Sequence, residues 1–289
     1  MIQCFVKKNY TPSFKLNSEP RLVYVSKIEQ AASIHPRVMH AHEDLVEIVL
    51  ITGGSGEYSI GGVRHKVQRG NLAIYNSGVV HDELSGPDVL IGSYCCAVGG
   101  LRIEGLRENA LISDKGSPVF SVDEAQCARL ESLMDLMFSE LVSGQGGGEE
   151  TSHHLLLALL TCCWHVTHGE VREEEYGGNV LGTRIKTYID THFSEDISLQ
   201  SISDQLNVSP YYLSHVFKDM TGYSPLQYIV RRRIGEAQTL LISTNYPVTR
   251  IASMVGYDNP SHFNLLFAKN VGMTPRKYRK NYIVSSGEK

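Results

Sequence analysis

Two short stretches in the first third of the chain carry side chains suited to holding an ion or a polar ligand. The stretch "HAHEDLVEIVLITGG" contains His40, His42 and Glu47. The stretch "GNLAIYNSGVVH" ends in His81. Alternate residues of a β-strand point the same way, so His40 and His42 can aim at one centre. Imidazole and carboxylate together suit Zn, Fe, Mn, Ni or Cu rather than Ca. The same groups can also hydrogen-bond an organic effector, or satisfy one another inside a core. Arg37 and Arg64 stand nearby and could face an anionic ligand, and Tyr24, Tyr58 and Tyr75 could line a pocket.

The elements that would position these groups read as β-structure. "RLVYV" from Arg21 is a plausible first strand, and "LVEIVLIT", "EYSI", "VRHKV" and "LAIY" follow between 45 and about 91. They are short, rich in Val, Ile and Tyr, and broken by glycine. Gly61-Gly62, between Ile60 and Val63, suits a two-residue hairpin. Such closely spaced strands predict an all-β barrel or sandwich. After about Val122 the period becomes helical. Leu130, Leu133, Met134, Met137 and Leu141 form one stripe, "SGQGGG" breaks it, and a second helix is expected from Glu149 to about His168. These helices could cover the barrel or pair two copies of the chain. "GEVREEEYGG", charged and poor in apolar residues, reads as a linker.

Beyond the linker the chain repeats itself. "FKDMTGYSPLQYI" from Phe217 and "FAKNVGMTPRKYR" from Phe267 align at an offset of fifty. Leu213 and Phe217 match Phe263 and Phe267, a bulky pair spaced to anchor one helical face. Gly222 and Gly272 can end a helix in left-handed geometry. Ser224-Pro225 and Thr274-Pro275 each supply an N-cap followed by proline at the first helical position. Upstream of each copy lies a short helix and a turn, the second turn one residue longer. Each copy therefore reads as a helix-turn-helix, whose second helix can enter a DNA major groove. A continuous helix from 225 to about 244 joins them. At 1.5 Å per residue it spans roughly 30 Å, close to the roughly 34 Å between successive major-groove faces.

The segments "IASMVGYDNPSHFNLLFAKNVGMTPRKYR" and "RRRIGEAQTLL" resemble the DNA-binding domain of AraC/XylS-type transcription regulators. The resemblance covers the C-terminal third and implies two helices read in adjacent major grooves. It places one reading helix at 209–219, with Ser209, Tyr211, Tyr212, Ser214, His215 and Lys218 toward groove or phosphates. It places the other at 260–270, with Ser261, Asn264, Leu265 and Lys269, and adds Arg250 from the preceding helix. Members often carry a basic residue at the Leu265 position and Lys at the Ala268 position, so the second unit here is short of charge. Asn264 can pair with adenine and Leu265 can touch a thymine methyl. The front half is similar in pattern to the cupin barrel. Metal-binding cupins use two histidines and a glutamate from one strand pair and a third histidine from another; His40, His42, Glu47 and His81 fill those places. Ile34 and Asn76 depart from the pattern, which usually has glycine and proline there.

Together these readings predict an α+β protein of two domains. Residues 1–168 form a cupin-like β-barrel with flanking helices, binding an effector and pairing two chains. Residues 169–179 link it to an all-α double helix-turn-helix at 180–289. The expected function is ligand-responsive, sequence-specific DNA binding in transcription, usually as an activator in the resembling family. The expected effector site comprises Arg37, His40, His42, Glu47, Tyr75 and His81. The resemblance implies RNA polymerase as a further partner. A metal-dependent cupin enzyme fused to a DNA-binding tail is the rival reading, with no catalytic residue assigned; the cofactor this pattern allows is a divalent transition metal in the cupin pocket.

Bulk properties agree. Net charge is -4, but a surplus of five positive charges follows Gly182, while the residues before it carry nine more acidic than basic groups. An acidic front and a basic back predict that only the back meets a polyanion. Cys4, Cys95, Cys96, Cys127, Cys162 and Cys163 form no C-x-x-C pair and read as reduced thiols of a cytoplasmic protein. The longest oily run, 155–160, is far short of the roughly 20 residues that span a bilayer.

Overall fold

The computed structural model describes residues 3–4, 11–30, 38–84, 90–144, 146–168 and 180–282. Arg37, Ile34 and the linker at 169–179 lie outside the described residues. Eight strands come first: β1 (Arg21–Ile28), β2 (Leu45–Gly53), β3 (Ser55–Ile60), β4 (Val63–Gln68), β5 (Asn71–Tyr75), β6 (His81–Leu84), β7 (Gly92–Gly99) and β8 (Val119–Ser121). They form a five-stranded antiparallel sheet in the order β1-β7-β2-β5-β8 and a three-stranded sheet in the order β4-β3-β6. The Gly61-Gly62 turn has positive φ at both positions, 61° and 85°, as a tight hairpin of this hand requires.

Alternation along β2 divides the front half into two cores. Val46, Ile48 and Leu50 pack with Tyr94, Cys96 and Val98 against the helices α1 (Glu124–Ser143) and α2 (Gly148–His168). Val49 and Ile51 point to the other side, between the sheets, with Tyr58, Ile60, Val67, Tyr75 and Cys95. Glu47 shares that inner parity, so β2 sends a carboxylate into the barrel interior. The Leu130, Met134 and Met137 stripe of α1 is buried against the sheet, while Leu136, Leu141 and Val142 remain exposed. Leu130, Met134 and Met137 of the stripe thus cover the barrel, while Leu141 at its end faces outward.

The helical third contains α3 (Val180–His192), α4 (Leu199–Leu206), α5 (Pro210–Thr221), α6 (Pro225–Ser243), α7 (Val248–Met254), α8 (Pro260–Val271) and α9 (Pro275–Tyr282). Ser224 caps α6 as expected, and Ser209 and Asn259 likewise cap α5 and α8 with side-chain acceptors; each of these helices starts with proline. Gly222 and Gly272 end α5 and α8 in left-handed geometry, at φ 77° and 82°. Leu213, Phe217, Phe263 and Phe267 are fully buried in one core with Tyr228 and Tyr278.

That core does not stop at the domain boundary. Val38, Met39 and Val80 of the front half belong to it. The Val38 N–H donates to Gln238 Oε1 on α6 at 2.8 Å. Gly235, in the middle of α6, lies so close that an added Cβ would sit 1.8 Å from the Met39 carbonyl oxygen. Asp82, fully buried, accepts from Arg231 Nε and Nη2 at 2.8 and 2.5 Å, and Tyr223 Oη donates to the same oxygen at 3.4 Å. Arg64 Nη2 reaches the Gly222 carbonyl at the end of α5. The barrel is therefore fastened to α5 and α6 by apolar contact and a buried ion pair.

Two measurements check this architecture. Met134→Ala removes a fully buried side chain under the sheet and is expected to cost about 2–5 kcal/mol in urea unfolding. Arg231→Ala leaves the Asp82 carboxylate buried without its counter-charge, at an expected cost of about 3–5 kcal/mol. The double variant Asp82→Ala/Arg231→Ala should recover part of that loss; a double variant no more stable than the single would show that charge burial is not the cause.

Candidate ligand centre and nucleic-acid interface

His40 and His81 exchange both backbone hydrogen bonds, N–H to O and back, each 2.9 Å. This isolated antiparallel bridge ties the strap 38–42 to the start of β6 and sets the two imidazoles 4.2 Å apart between ring centroids. His42 reaches the same point from two residues along the strap, as strand alternation predicts. Glu47 enters from β2. One donor atom from each of the four residues lies within 4.8 Å of every other. His40, Glu47 and His81 are buried, and His42 is nearly so. Tyr75 stacks on His81 at 4.1 Å, and Tyr24 donates its hydroxyl proton to Glu47.

The hydrogen bonds fix which ring atoms face inward. His40 Nδ1 lies 3.0 Å from the Val38 carbonyl and His81 Nδ1 lies 2.9 Å from the Val79 carbonyl. A carbonyl oxygen only accepts, so both Nδ1 atoms donate. In a neutral ring the Nε2 atom is then a lone-pair acceptor. Yet His81 Nε2 stands 2.8 Å from Glu47 Oε2, and two acceptors this close require a shared cation, either a proton or a metal ion. His42 Nε2 stands 3.5 Å from Oε1. Burial alone would push the Glu47 carboxyl up, but the side-chain hydrogen bonds from His42 and His81 outweigh it and hold the carboxyl well below its ordinary value. Burial pushes the Tyr75 phenol well up.

The donor set fits a transition metal. Ligand atoms around an ion at about 2.1 Å are spaced roughly 3–4 Å, close to the present convergence. Imidazoles whose far nitrogen donates to a backbone carbonyl are the usual arrangement of metal-ligating histidines. Of the residues expected at this centre, His40, His42, Glu47, Tyr75 and His81 come together, while Arg37 lies outside the described residues. Arg64 is turned to Gly222 and lies 5.7 Å from the Tyr223 ring. A separate cavity of about 350 Å³ opens between the β3–β4 hairpin and the 112–118 loop, lined by Ile60, Val63, Ile74 and Arg107 among others. No spacing in the sequence pointed to it, because its walls come from residues scattered over nearly sixty positions.

At the other end of the chain the two capped repeats present polar faces. On α5, Tyr211 is 84% exposed, and Tyr212, His215 and Lys218 are exposed, with Ser214 half-buried and Ser209 capping the helix. On α8, Ser261, Asn264 and Lys269 are exposed, and Leu265 is 72% exposed. Arg250, on α7, lies 3.9 Å from the Tyr246 ring centroid with its backbone position exposed. The basic surplus is less available than its count implies. Arg231 pairs with Asp82, Arg232 with Asp190 at 3.1 Å, and Arg233 donates to the carbonyls of Phe193, Glu195 and Gly256. All three arginines of α6 hold the fold together.

The sequence profile of the AraC-like ligand-binding domain matches residues 23–159, and that of a helix-turn-helix domain matches residues 202–281. The HTH-type transcriptional regulator YdiP of Escherichia coli is 24% identical over 250 residues, 84% of this chain and 81% of its own length. The HTH-type transcriptional activator RhaR of Mannheimia succiniciproducens is 21% identical over 86% of this chain and 89% of its own. The C-terminal domain of AraT, a response regulator from Geobacillus stearothermophilus, is 37% identical where it aligns, covering 38% of this chain and 92% of that domain with a TM-score of 0.37. With an effector domain in front, two capped helix-turn-helix units behind, and both halves matched in that order, the chain belongs to the AraC-type transcription regulators.

Proposed function

We propose that this regulator senses a divalent transition-metal ion, held by His40, His42, Glu47 and His81, and reads DNA with α5 and α8. The observation that carries the metal assignment is the convergence of four residues that can each offer a ligand atom in a buried space, with His40 and His81 turned by backbone carbonyls so that Nε2 faces inward. Tyr75 and Tyr24 shape the wall and orient the carboxylate. When bound, the ion supplies the positive charge that these acceptors share. On the DNA side, Tyr211, Ser214 and His215 face the groove from α5, with Lys218 and the capped start at Ser209 toward phosphates. Ser261, Asn264 and Leu265 do so from α8, with Lys269 and Arg250 at its flanks. The chain acts in the cytoplasm as a homodimer, with RNA polymerase as its target. Among the described residues no helix is long and apolar enough to cross a membrane.

Protein purified without added ions and analysed by elemental mass spectrometry is expected to carry close to one transition-metal ion per chain. His42→Ala and Glu47→Gln should each lose most of it; wild-type protein that takes up no ion even when offered Zn2+ would end the metal assignment. Lys218→Ala is expected to weaken binding to all duplex sequences alike and to reduce the salt slope by about one. A slope equal to that of the wild type would remove Lys218 from the phosphate contacts.

A further inference from the structure

The ligand centre and the rod that joins the two DNA-reading units share one piece of backbone. Residues 38–42 carry His40 and His42 on one side. Toward α6, the Val38 N–H bonds Gln238, the Met39 carbonyl rests on the bare backbone of Gly235, and Val38 and Met39 join the helical core. The partner of the strap, β6, does the same: His81 faces the centre, and the next residue, Asp82, is held by Arg231. Gly235 and Gln238 lie on the same face of α6, three residues apart. Neither has a reason to be what it is within the helical domain alone. A mid-helix glycine costs roughly 0.5–1 kcal/mol against alanine, and Gln238 is fully buried with its amide oxygen spent on the strap.

We infer that the strap 38–42 is the element that couples occupancy of the metal centre to the seating of α6, each state favouring the other. This rests on the metal assignment above and deepens it. The direction follows from the geometry. With α6 seated, the four donor atoms already converge and the imidazoles already face inward. The seated form is thus the one competent to bind, and a ligand stabilises the form that it binds better. By reciprocity, anything that unseats the strap from α6 weakens metal affinity by the same factor that metal strengthens seating. The reading faces of α5 and α8 stay exposed in the seated form, so occupancy sets the pose of the reading units and does not uncover them.

The test uses the full chain and Zn2+ alone. Its affinity is measured by competition against a chromogenic chelator for wild type, Gly235→Glu and Gln238→Ala. Glu at 235 favours the helix but forces the strap away, since any Cβ there overlaps the Met39 carbonyl; Gln238→Ala removes the acceptor for Val38 together with the rest of a buried side chain and leaves the backbone contact at Gly235 in place. Zn2+ affinity is expected to fall at least tenfold in Gly235→Glu and severalfold in Gln238→Ala. Neither substitution touches a ligand. In parallel, amide exchange across 225–243 should slow when Zn2+ is added to wild type and stay unchanged in Gly235→Glu. If wild type binds no Zn2+, the metal assignment fails and takes this inference with it. If wild type binds and both variants bind equally well, the assignment stands and the coupling is wrong.

Discussion

Two hydrogen bonds between the backbones of His40 and His81 organise the molecule. They pin an irregular strap to the first residue of β6, and side-chain alternation does the rest. Each of these two segments then offers one face to the barrel interior and the other to the DNA-binding half. Imidazoles go inward, where Glu47 meets them from β2. Met39, Val80 and Asp82 alternate outward, and Val38, ahead of the bridge, joins Met39 and Val80 in a core completed by α6. Without that bridge the histidines would have no common centre, and the two halves would lose their shared packing.

The interior then obeys ordinary electrostatics. A buried carboxylate is costly unless paired, and here His42 and His81 supply the pairing. The interdomain carboxylate, Asp82, is handled differently: burial pushes its pKa up while Arg231 and Tyr223 pull it down. Both acids sit where apolar residues would serve stability as well. Each instead restricts how its surroundings can pack, one fixing the histidines and the other the position of α6.

Much of this was legible in the sequence because the signals were local. The capped repeat announced α6 and α9 through the Ser224-Pro225 and Thr274-Pro275 starts, and the ends of α5 and α8 through Gly222 and Gly272; the structure adds the caps at Ser209 and Asn259 and moves the ends by a residue or two. His40, His42, Glu47 and His81 were legible as a set by their likeness to a known barrel pattern. What stayed hidden depends on long-range contact. β7 carries Gly, Ser and a Cys doublet rather than the usual Val and Ile, yet it is the buried strand between β1 and β2. Cys95 and Cys96 simply alternate between the two cores. The arginine triplet of α6 counts toward the basic surplus of the helical third, yet its partners lie far off in sequence and its role is structural. The role of Gly235 was not legible, because nothing within α6 shows that another backbone lies against it.

The position of Gly235 has a mechanical meaning. The barrel holds α6 near its middle, and the helix runs eight residues further before the second helix-turn-helix begins. That arm is roughly 12 Å long. A tilt of roughly 15° about the contact would carry its tip roughly 3 Å, about one base step of 3.4 Å along a strand. A displacement too small to disturb the barrel is thus magnified at the far end into the difference between matching and missing a half-site by one nucleotide.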